Sequence, residues 1–432
     1  MSREPFPEVS VPRTLSRPRL RSTAALFTTL TAFASCCIVS ARPGEPYAAE
    51  PCALKRTAAH HSEGLDTWNA SYPRPARGLD AVMVFLSFPD FKPVNSPAEL
   101  AADHFPATSD YFRRASYGRF SLRPHSLRRW VRMPKPSTAY AIRRDWAAKD
   151  RSAYLRDALA ASDAQVDFSR YDVVYFVADP DAPGVDSDAT KVVNLRTPLR
   201  ADGADLRRIV TVFERHPPDR LVLAHETGHV FDLPDLYRRP TDGKGDWDTH
   251  VGDWDLMGSQ FGLAPDLFAW HKWKLGWLDP RQVVCVRGGE RARLTLEPLG
   301  AGPGTPMTLP TGSTAFGLGG GVKLAVVRTG ADSVLAFEAR GPVGNDRAAC
   351  RAGVLVYRVH SGEESGRGPV EVVDAHPGTE ACWENSVYPP LADAPVSLGE
   401  TFTVPGEDVR VQVRGRTLAG AWTVDISTGR RV

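Results

Sequence analysis

Near the middle of the chain, His225, Glu226 and His229 have a spacing suited to metal chemistry. On a helix, residues four positions apart lie on one face about one turn from each other. Both imidazoles could then reach one zinc ion at about 2 Å, while Glu226, rotated around the helix, could reach a water on that ion. Zinc lowers the pKa of its bound water toward about 7, so a carboxylate that accepts the proton would complete a hydrolytic centre.

The alternative interpretation of these three residues is an exposed helix with two solvated histidines. The residues just before the motif, LVLA at 221–224, are all apolar and indicate a largely buried helix. Buried histidines and a glutamate need a partner, because unpaired polar groups in a core cost on the order of several kcal/mol. The metal site is therefore the favoured interpretation.

A catalytic zinc needs a third protein ligand, and the sequence offers Asp235. Counted from His225, Asp235 lies where the motif of metzincin-type zinc enzymes has its third ligand, after a turn that leaves the helix. Asp232 departs from that motif, which has a glycine here; aspartate is among the non-glycine residues that best tolerate the left-handed backbone of such a turn. Because of this departure, Asp255 and Asp266 stay open as alternative ligands.

A methionine follows the helix in residues 252–258, GDWDLMG. This segment is similar to the Met-turn that supports the zinc in the same class of enzymes. A lone methionine is more often a residue that fills space in a core. The distance of Met257 from the helix favours the Met-turn.

The helix that carries the motif has recognisable ends. Pro217 and Pro218 stop the preceding element, and Asp219 is placed to cap a helix that begins at Arg220. Pro234 should end the helix, because the residue before a proline avoids the helical region. A further helix is expected over residues 264–275.

Upstream of the motif, strands and helices alternate. Apolar runs at residues 81–86 and 171–177 predict buried strands. Ser96 and Glu99 form a capping box that predicts the start of a helix, and further helices are expected around residues 111–112 and over residues 147–161. Residues 120–123 alternate like a strand.

From about residue 281 onward the pattern changes to short alternating runs, which predict strands in a mostly antiparallel unit. The clearest of these runs cover residues 292–296, 322–327, 353–357 and 409–413. Together with the upstream half, they indicate an α+β protein.

The first 41 residues predict a secretory leader, with arginines in a polar start, an apolar run at 24–39, and small residues before a cleavage after Ala41. A membrane anchor is the main alternative, although the run is short for a span and is interrupted by threonines and a serine. A lipoprotein cleavage site at 33–36, FASC, is a minor alternative. Residues 42–78 lack periodicity and predict a linker or short pro-segment.

The remaining chain is expected to form two units, since 432 residues are too many for one ordinary core. The first would cover residues 79–280 and carry the motif, and the second would be the β-rich region at 281–432. Hydrophobic residues make up 42% of the chain, which is enough to build these cores. The net charge is +2 and the arginines are scattered, so nucleic acid is not an expected partner.

Six cysteines are present, and two of them, Cys36 and Cys37, would leave with the leader. The other four show no Cys-x-x-Cys spacing, which favours disulfides outside the cell over a thiolate metal site. Three pairings are open. The favoured one joins Cys350 to Cys382, closing a loop within one region, and Cys52 to Cys285, tying down the mature N-terminus.

Several segments together resemble the immune inhibitor A-like metallopeptidases, which are secreted bacterial zinc enzymes. The resemblance rests on residues 225–237 (HETGHVFDLPDLY), 254–257 (WDLM), 273–278 (WKLGWL), 88–90 (FPD) and 111–120 (YFRRASYGRF). It implies a metzincin-like catalytic domain followed by β-structure, with His225, His229 and Asp235 as zinc ligands and Glu226 as general base. Structural calcium is also common in that family, although no calcium loop is evident here. Residues 111–120 are expected to serve ordinary packing.

These features lead to the expectation of a secreted, monomeric zinc endopeptidase that acts on extracellular proteins and does not insert stably into membranes. Two alternatives stay open. One is a surface-binding protein that retains an inactive zinc site, against which the intact Glu226 argues. The other is a zinc amidase that acts on non-protein substrates.

Overall fold

The computed structural model describes residues 52–219, 221–241, 244–303, 307–308, 314–315 and 318–429. The expected leader at 1–41, the first part of the expected linker at 42–51, and Arg220 lie outside these residues.

Among the described residues, helices and strands begin at Leu79 and end at Thr428. The α-helices are α1 (Pro97–His104), α2 (Ala107–Ala115), α3 (Ala148–Ser162), α4 (Val222–Val230) and α5 (Ala269–Lys274). The strands are β1 (Leu79–Ser87), β2 (Leu122–Ser126), β3 (Val131–Arg132), β4 (Val173–Ala178), β5 (Lys191–Ala201), β6 (Ala204–Val212), β7 (Val283–Val286), β8 (Arg291–Leu296), β9 (Met307–Thr308), β10 (Thr314–Ala315), β11 (Leu324–Arg328), β12 (Ser333–Arg340), β13 (Gly353–His360), β14 (Val370–Val372), β15 (Thr401–Thr403), β16 (Val409–Arg416) and β17 (Trp422–Thr428).

The first sheet has the strand order β2-β1-β4-β6-β5, and β3 also pairs with β1. Its strands are parallel except for β5, which runs antiparallel to β6 at the edge. Both faces are buried: Ala81 and Met83 of β1 belong to one core cluster, and Val82 and Val84 to another. This two-sided burial explains why the strands predicted at 81–86 and 171–177, now seen as β1 and β4, are continuous apolar runs.

Helices cover both faces of this sheet. On one side, α3 contributes Tyr154, Leu155 and Ala158 to the core, and its bounds agree with the helix predicted over 147–161. On the other side lie α1, α2, α4 and α5. The predicted capping box opens α1, because the Ser96 hydroxyl accepts from the Glu99 N–H at 3.3 Å and the Glu99 carboxylate accepts from the Ser96 N–H at 2.7 Å.

Two local predictions are wrong. The helix expected over 264–275 is reduced to α5, because the N–H groups of Asp266 and Phe268 donate to the carboxylates of Asp346 and Asp255 instead of continuing a helical ladder. The expected Asp219 cap of α4 is also wrong. Leu221 is the N-cap, with a left-handed φ of 59° and no side-chain cap bond.

The C-terminal half contains two larger sheets, with strand orders β14-β13-β12-β11-β7 and β15-β16-β17-β8. Every pair in them is antiparallel except β7 with β11, so the mostly antiparallel unit is confirmed. The runs predicted at 292–296, 322–327, 353–357 and 409–413 correspond to β8, β11, β13 and β16. A short pair of strands, β9 and β10, lies between β8 and β11 in the chain.

The sheet around β12 is a layer shared by two cores. Leu324 and Val326 of β11 belong to the cluster that also contains α4 and one face of the first sheet, whereas Ala325 and Val327 pack with the outer four-stranded sheet. The mixed α and β character is thus confirmed. The predicted domain boundary at 280/281 stays a prediction. The hydrophobic core continues across that point in the chain.

Both favoured disulfides are confirmed. Cys52 is bonded to Cys285 across 233 positions, and Cys350 to Cys382 across 32. Two disulfides fit an oxidising compartment. Among the described residues, no helix combines the length and apolar character that a membrane span requires.

The first described residues, 52–78, contain no helix or strand before β1, yet residues 61–64 among them are buried. The Glu63 carboxylate is buried 2.9 Å from Nε2 of His271 and 3.7 Å from Nζ of Lys274. The indole N–H of Trp270 donates to the Glu63 carbonyl at 3.1 Å. The stretch around Glu63 in the expected linker is therefore built into the core.

Candidate metal centre

The two motif histidines lie one turn apart on α4, and backbone carbonyls set the direction of their rings. Nδ1 of His225 lies 2.9 Å from the Leu256 oxygen, and Nδ1 of His229 lies 2.8 Å from the Leu233 oxygen. A carbonyl can only accept, so each Nδ1 carries a proton and each Nε2 is left as the nitrogen available to a metal. This is the arrangement that usually orients metal-binding histidines.

Asp235 faces the same point. The chain leaves α4 through Asp232, whose φ of 66° is the left-handed conformation expected there. The turn brings Oδ1 of Asp235 to 3.0 Å from Nε2 of His229 and 3.6 Å from Nε2 of His225. The ligand atoms of these three residues all lie within 4.8 Å of one another.

The two separations from Asp235 are compatible with a zinc site. Ligand atoms about 2.0–2.2 Å from one tetrahedral ion stand roughly 3.4 Å apart, and the two distances from Asp235, 3.0 and 3.6 Å, lie on either side of that value. Imidazole and carboxylate are donors that zinc takes, and three protein ligands leave a fourth position open.

The alternative ligands are engaged elsewhere. Asp255 accepts from the Met257 N–H and the Phe268 N–H, both at 2.7 Å, with one carboxylate oxygen each. Asp266 is paired with Nζ of Lys272 at 2.8 Å in the core. Neither carboxylate is grouped with the motif histidines, so the geometry favours Asp235.

Asp235 and His229 favour each other's charged forms. Burial would lower the pKa of His229, but the charge and hydrogen bond of Asp235 outweigh it and raise that pKa to about 9. Burial would raise the pKa of Asp235, but the two histidines hold it well below its usual range. A metal at this point would have to displace a proton, so its binding would depend on pH.

Glu226 is held beside these residues by the edge of the first sheet. Its Oε2 accepts the backbone N–H of Val192, the second residue of β5, at 2.6 Å. The side chain lines the same cavity as His225, His229 and Asp235. The strand thus fixes the carboxylate at the wall of the cavity, apart from the metal-binding cluster.

Met257 packs directly under α4. A Cβ atom at Gly228 would lie only 2.5 Å from the Met257 sulfur, so the helix can approach the methionine this closely because residue 228 has no side chain. The Met257 carbonyl also accepts the N–H of Leu236, next to Asp235, at 2.9 Å. Met257 therefore supports both the helix and the segment that follows it.

A cavity of about 1060 Å³ opens at this cluster. The Tyr237 ring stacks on the His225 ring at a centroid distance of 6.4 Å, and the Trp247 ring lies 5.3 Å from that of Tyr237. Charged side chains, including Arg144, Lys191, Glu214 and Arg239, line the rest of the wall. The cavity is thus polar, with an aromatic strip that begins at a motif histidine.

The segment 111–120 serves packing, as expected. The rings of Phe112 and Phe120 lie 5.5 and 5.3 Å from that of Phe231, the residue that ends α4. Tyr111, Phe112 and Phe120 are all buried in the central core. These contacts fix the helix end from which the chain turns toward Asp235.

Sequence reasoning missed two sets of supporting residues. Asp232 is buried and bonded to Arg56 and to Nδ1 of His61, the latter at 3.0 Å. Asp235 is bonded to Ser365, which lies 130 positions away. The only sequence signal for Arg56 and His61 was the aspartate at 232 in place of the motif glycine. The sequence carries no local signal for Ser365.

Comparisons with known proteins leave the family open. No known family matches the sequence, and no curated protein matches it either. Among solved structures, a crystal structure of wild-type OgpA from Akkermansia muciniphila is similar at 11% identity, over 84% of this chain and 95% of that chain. The TM-score is 0.23, which is too low to carry an argument about fold or activity.

Proposed function

We propose that this protein is a zinc-dependent endopeptidase that is exported and hydrolyses extracellular proteins. One observation carries the proposal: the ligand atoms of His225, His229 and Asp235 converge within 4.8 Å at a cavity that Glu226 also lines. The motif resemblance to immune inhibitor A-like enzymes supports the same assignment.

Each residue has a distinct role in this proposal. His225, His229 and Asp235 would hold the metal, which when bound would supply an acidified water and polarise the scissile carbonyl. Glu226 would be the general base of the site, holding the proton released by hydrolysis at its carboxylate and passing it to the leaving amine. The hydrogen bond from the Val192 N–H keeps this carboxylate oriented toward the cavity.

The edge strand supports a peptide substrate in particular. Among the described strands, β5 pairs only with β6, and its residues Lys191, Val192 and Asn194 line the cavity. An extended peptide can add to such an edge through its backbone groups. A substrate bound in this way would pass Glu226, because the Glu226 carboxylate accepts the N–H of Val192 on the same strand.

Hydrolysis of casein or gelatin by the purified protein tests this function. We expect digestion that a zinc chelator abolishes and that added zinc restores. Glu226→Gln should retain zinc and lose digestion, because the amide cannot accept the proton. Full activity in that variant would exclude Glu226 as the base, and digestion unaffected by the chelator would exclude the metal mechanism. Cleavage confined to non-peptide amides would favour an amidase instead.

A further inference from the structure

We propose that residues 361–366, in the loop that joins β13 to β14, complete the metal centre, and that Ser365 is a positioning residue for Asp235. The inference rests on the proposed function, since it concerns the third ligand of the same metal. It places part of the site in the C-terminal region, more than 80 positions beyond the predicted boundary at residue 280.

Three hydrogen bonds connect the loop to this one aspartate. The Ser365 hydroxyl donates to Oδ2 of Asp235 at 3.0 Å and accepts the Asp235 backbone N–H at 2.8 Å. The N–H of Gly366 donates to the Asp235 carbonyl at 2.9 Å. Oδ2 is thereby engaged by the loop, while Oδ1 is the oxygen that faces the two histidines.

The loop is itself anchored on both sides. The carbonyl of Ser361 accepts the hydroxyls of Thr57 and Ser62 at 2.6 and 2.7 Å. At the other end, the carbonyl of Gly366 accepts the N–H of Arg239 at 3.0 Å. Ser365 is thus held between the N-terminal segment and the stretch that follows Asp235, so its hydroxyl is a fixed partner.

The fixed hydroxyl selects one orientation of the Asp235 carboxylate. Without it, Oδ2 would keep only the more distant guanidinium of Arg239, at 3.7 Å, and the carboxylate could rotate so that either oxygen turned away from the histidines. Loss of a partner that orients a metal ligand commonly lowers metal affinity by about 10- to 100-fold. We therefore expect Ser365→Ala to bind zinc at least about 10-fold more weakly than the wild type.

The test measures the zinc dissociation constant by competition with a chromophoric chelator, and the visible absorption of the cobalt-substituted protein. Three full-length variants are compared with the wild type: Ser365→Ala, Ser365→Thr and Ser361→Ala. The threonine variant keeps the hydroxyl. Ser361→Ala is the control, because it removes another hydroxyl from the same loop. That hydroxyl donates to the Asp332 carbonyl at a long 3.5 Å and does not contact Asp235.

We expect weaker zinc binding and an altered cobalt spectrum in Ser365→Ala alone. The inference is overturned if Ser365→Ala binds zinc like the wild type, or if Ser365→Thr loses affinity equally. A wild-type protein that binds no zinc would overturn the proposed function as well.

Discussion

Asp232 affects the stability of the protein in two opposing ways. Its left-handed backbone, φ 66°, is a conformation that glycine adopts without strain. Its buried carboxylate, however, is bonded to Arg56 and His61. Breaking a buried charge pair costs about 3–5 kcal/mol, whereas the left-handed conformation costs an aspartate about 1–2 kcal/mol at most. The side-chain bonds should therefore dominate.

Asp232→Gly should accordingly destabilise the protein by about 2 kcal/mol, although it restores the residue of the motif. Urea unfolding followed by circular dichroism measures this change. Ala141→Gly is a matched control, because Ala141 is exposed and also left-handed, with a φ of 49°. The control should not lose stability. An Asp232→Gly variant as stable as the wild type would show that the bonds to Arg56 and His61 contribute little.

A buried histidine of α5 joins this helix to the segment 52–78. Nε2 of His271 lies 2.9 Å from Glu63 and Nδ1 lies 3.1 Å from Asp255, and all three side chains are fully buried. Because carboxylates can only accept, both ring nitrogens must donate, which requires a protonated ring. Burial would lower the pKa of His271, but Glu63 and Asp255 raise it to about 9.

This pKa makes the stability of the protein depend on pH. The folded-state pKa lies above the unfolded value of about 6.5, so the contribution is fully present below about pH 6.5 and is lost as pH rises through about 9. His271→Gln should therefore destabilise the protein more at about pH 6 than at about pH 9.5. Urea titrations of both proteins across that range measure the difference. An equal gap at every pH would contradict a charged His271.

How far the sequence could predict these elements depends on the range of the interactions that form them. β1, β4 and the start of α1 follow from local signals, namely apolar runs and the Ser96–Glu99 capping box. The length of α5 does not follow from local signals, because the Asp266 N–H donates to the carboxylate of Asp346, 80 positions away. The same reasoning applies to the site: helical spacing brings His225 and His229 together, whereas Ser365 and His61 reach it through distant contacts.

The C-terminal region, residues 281–432, supplies polar partners to the part of the chain that carries the metal centre. Arg340 on β12 is fully buried, and its guanidinium donates to the carbonyls of Trp254, Ala264 and Asp266 at 2.8–3.1 Å. Glu338 on the same strand accepts the N–H of Ala269 at 2.7 Å. The segment between the motif helix and α5 thus depends on β12 for its polar partners.

A chain that ends at residue 280 should therefore fail to fold. It would expose the apolar face that packs on β11 and β12 and leave these backbone groups without partners. Circular dichroism and thermal unfolding of residues 42–280 and 42–432, produced in the same way, would compare the two. We expect a cooperative transition in the longer chain alone. A cooperative, zinc-binding shorter chain would show that the predicted domain at 79–280 is autonomous.

The proposed metal centre is tested by the zinc content of the purified protein, measured per chain by elemental analysis in the wild type, Glu226→Gln, His229→Ala and Asp235→Ala. We expect one zinc per chain in the wild type and in Glu226→Gln, and loss or marked weakening in the other two. A wild-type chain without zinc, or an Asp235→Ala chain that holds zinc as tightly as the wild type, would contradict the proposed centre.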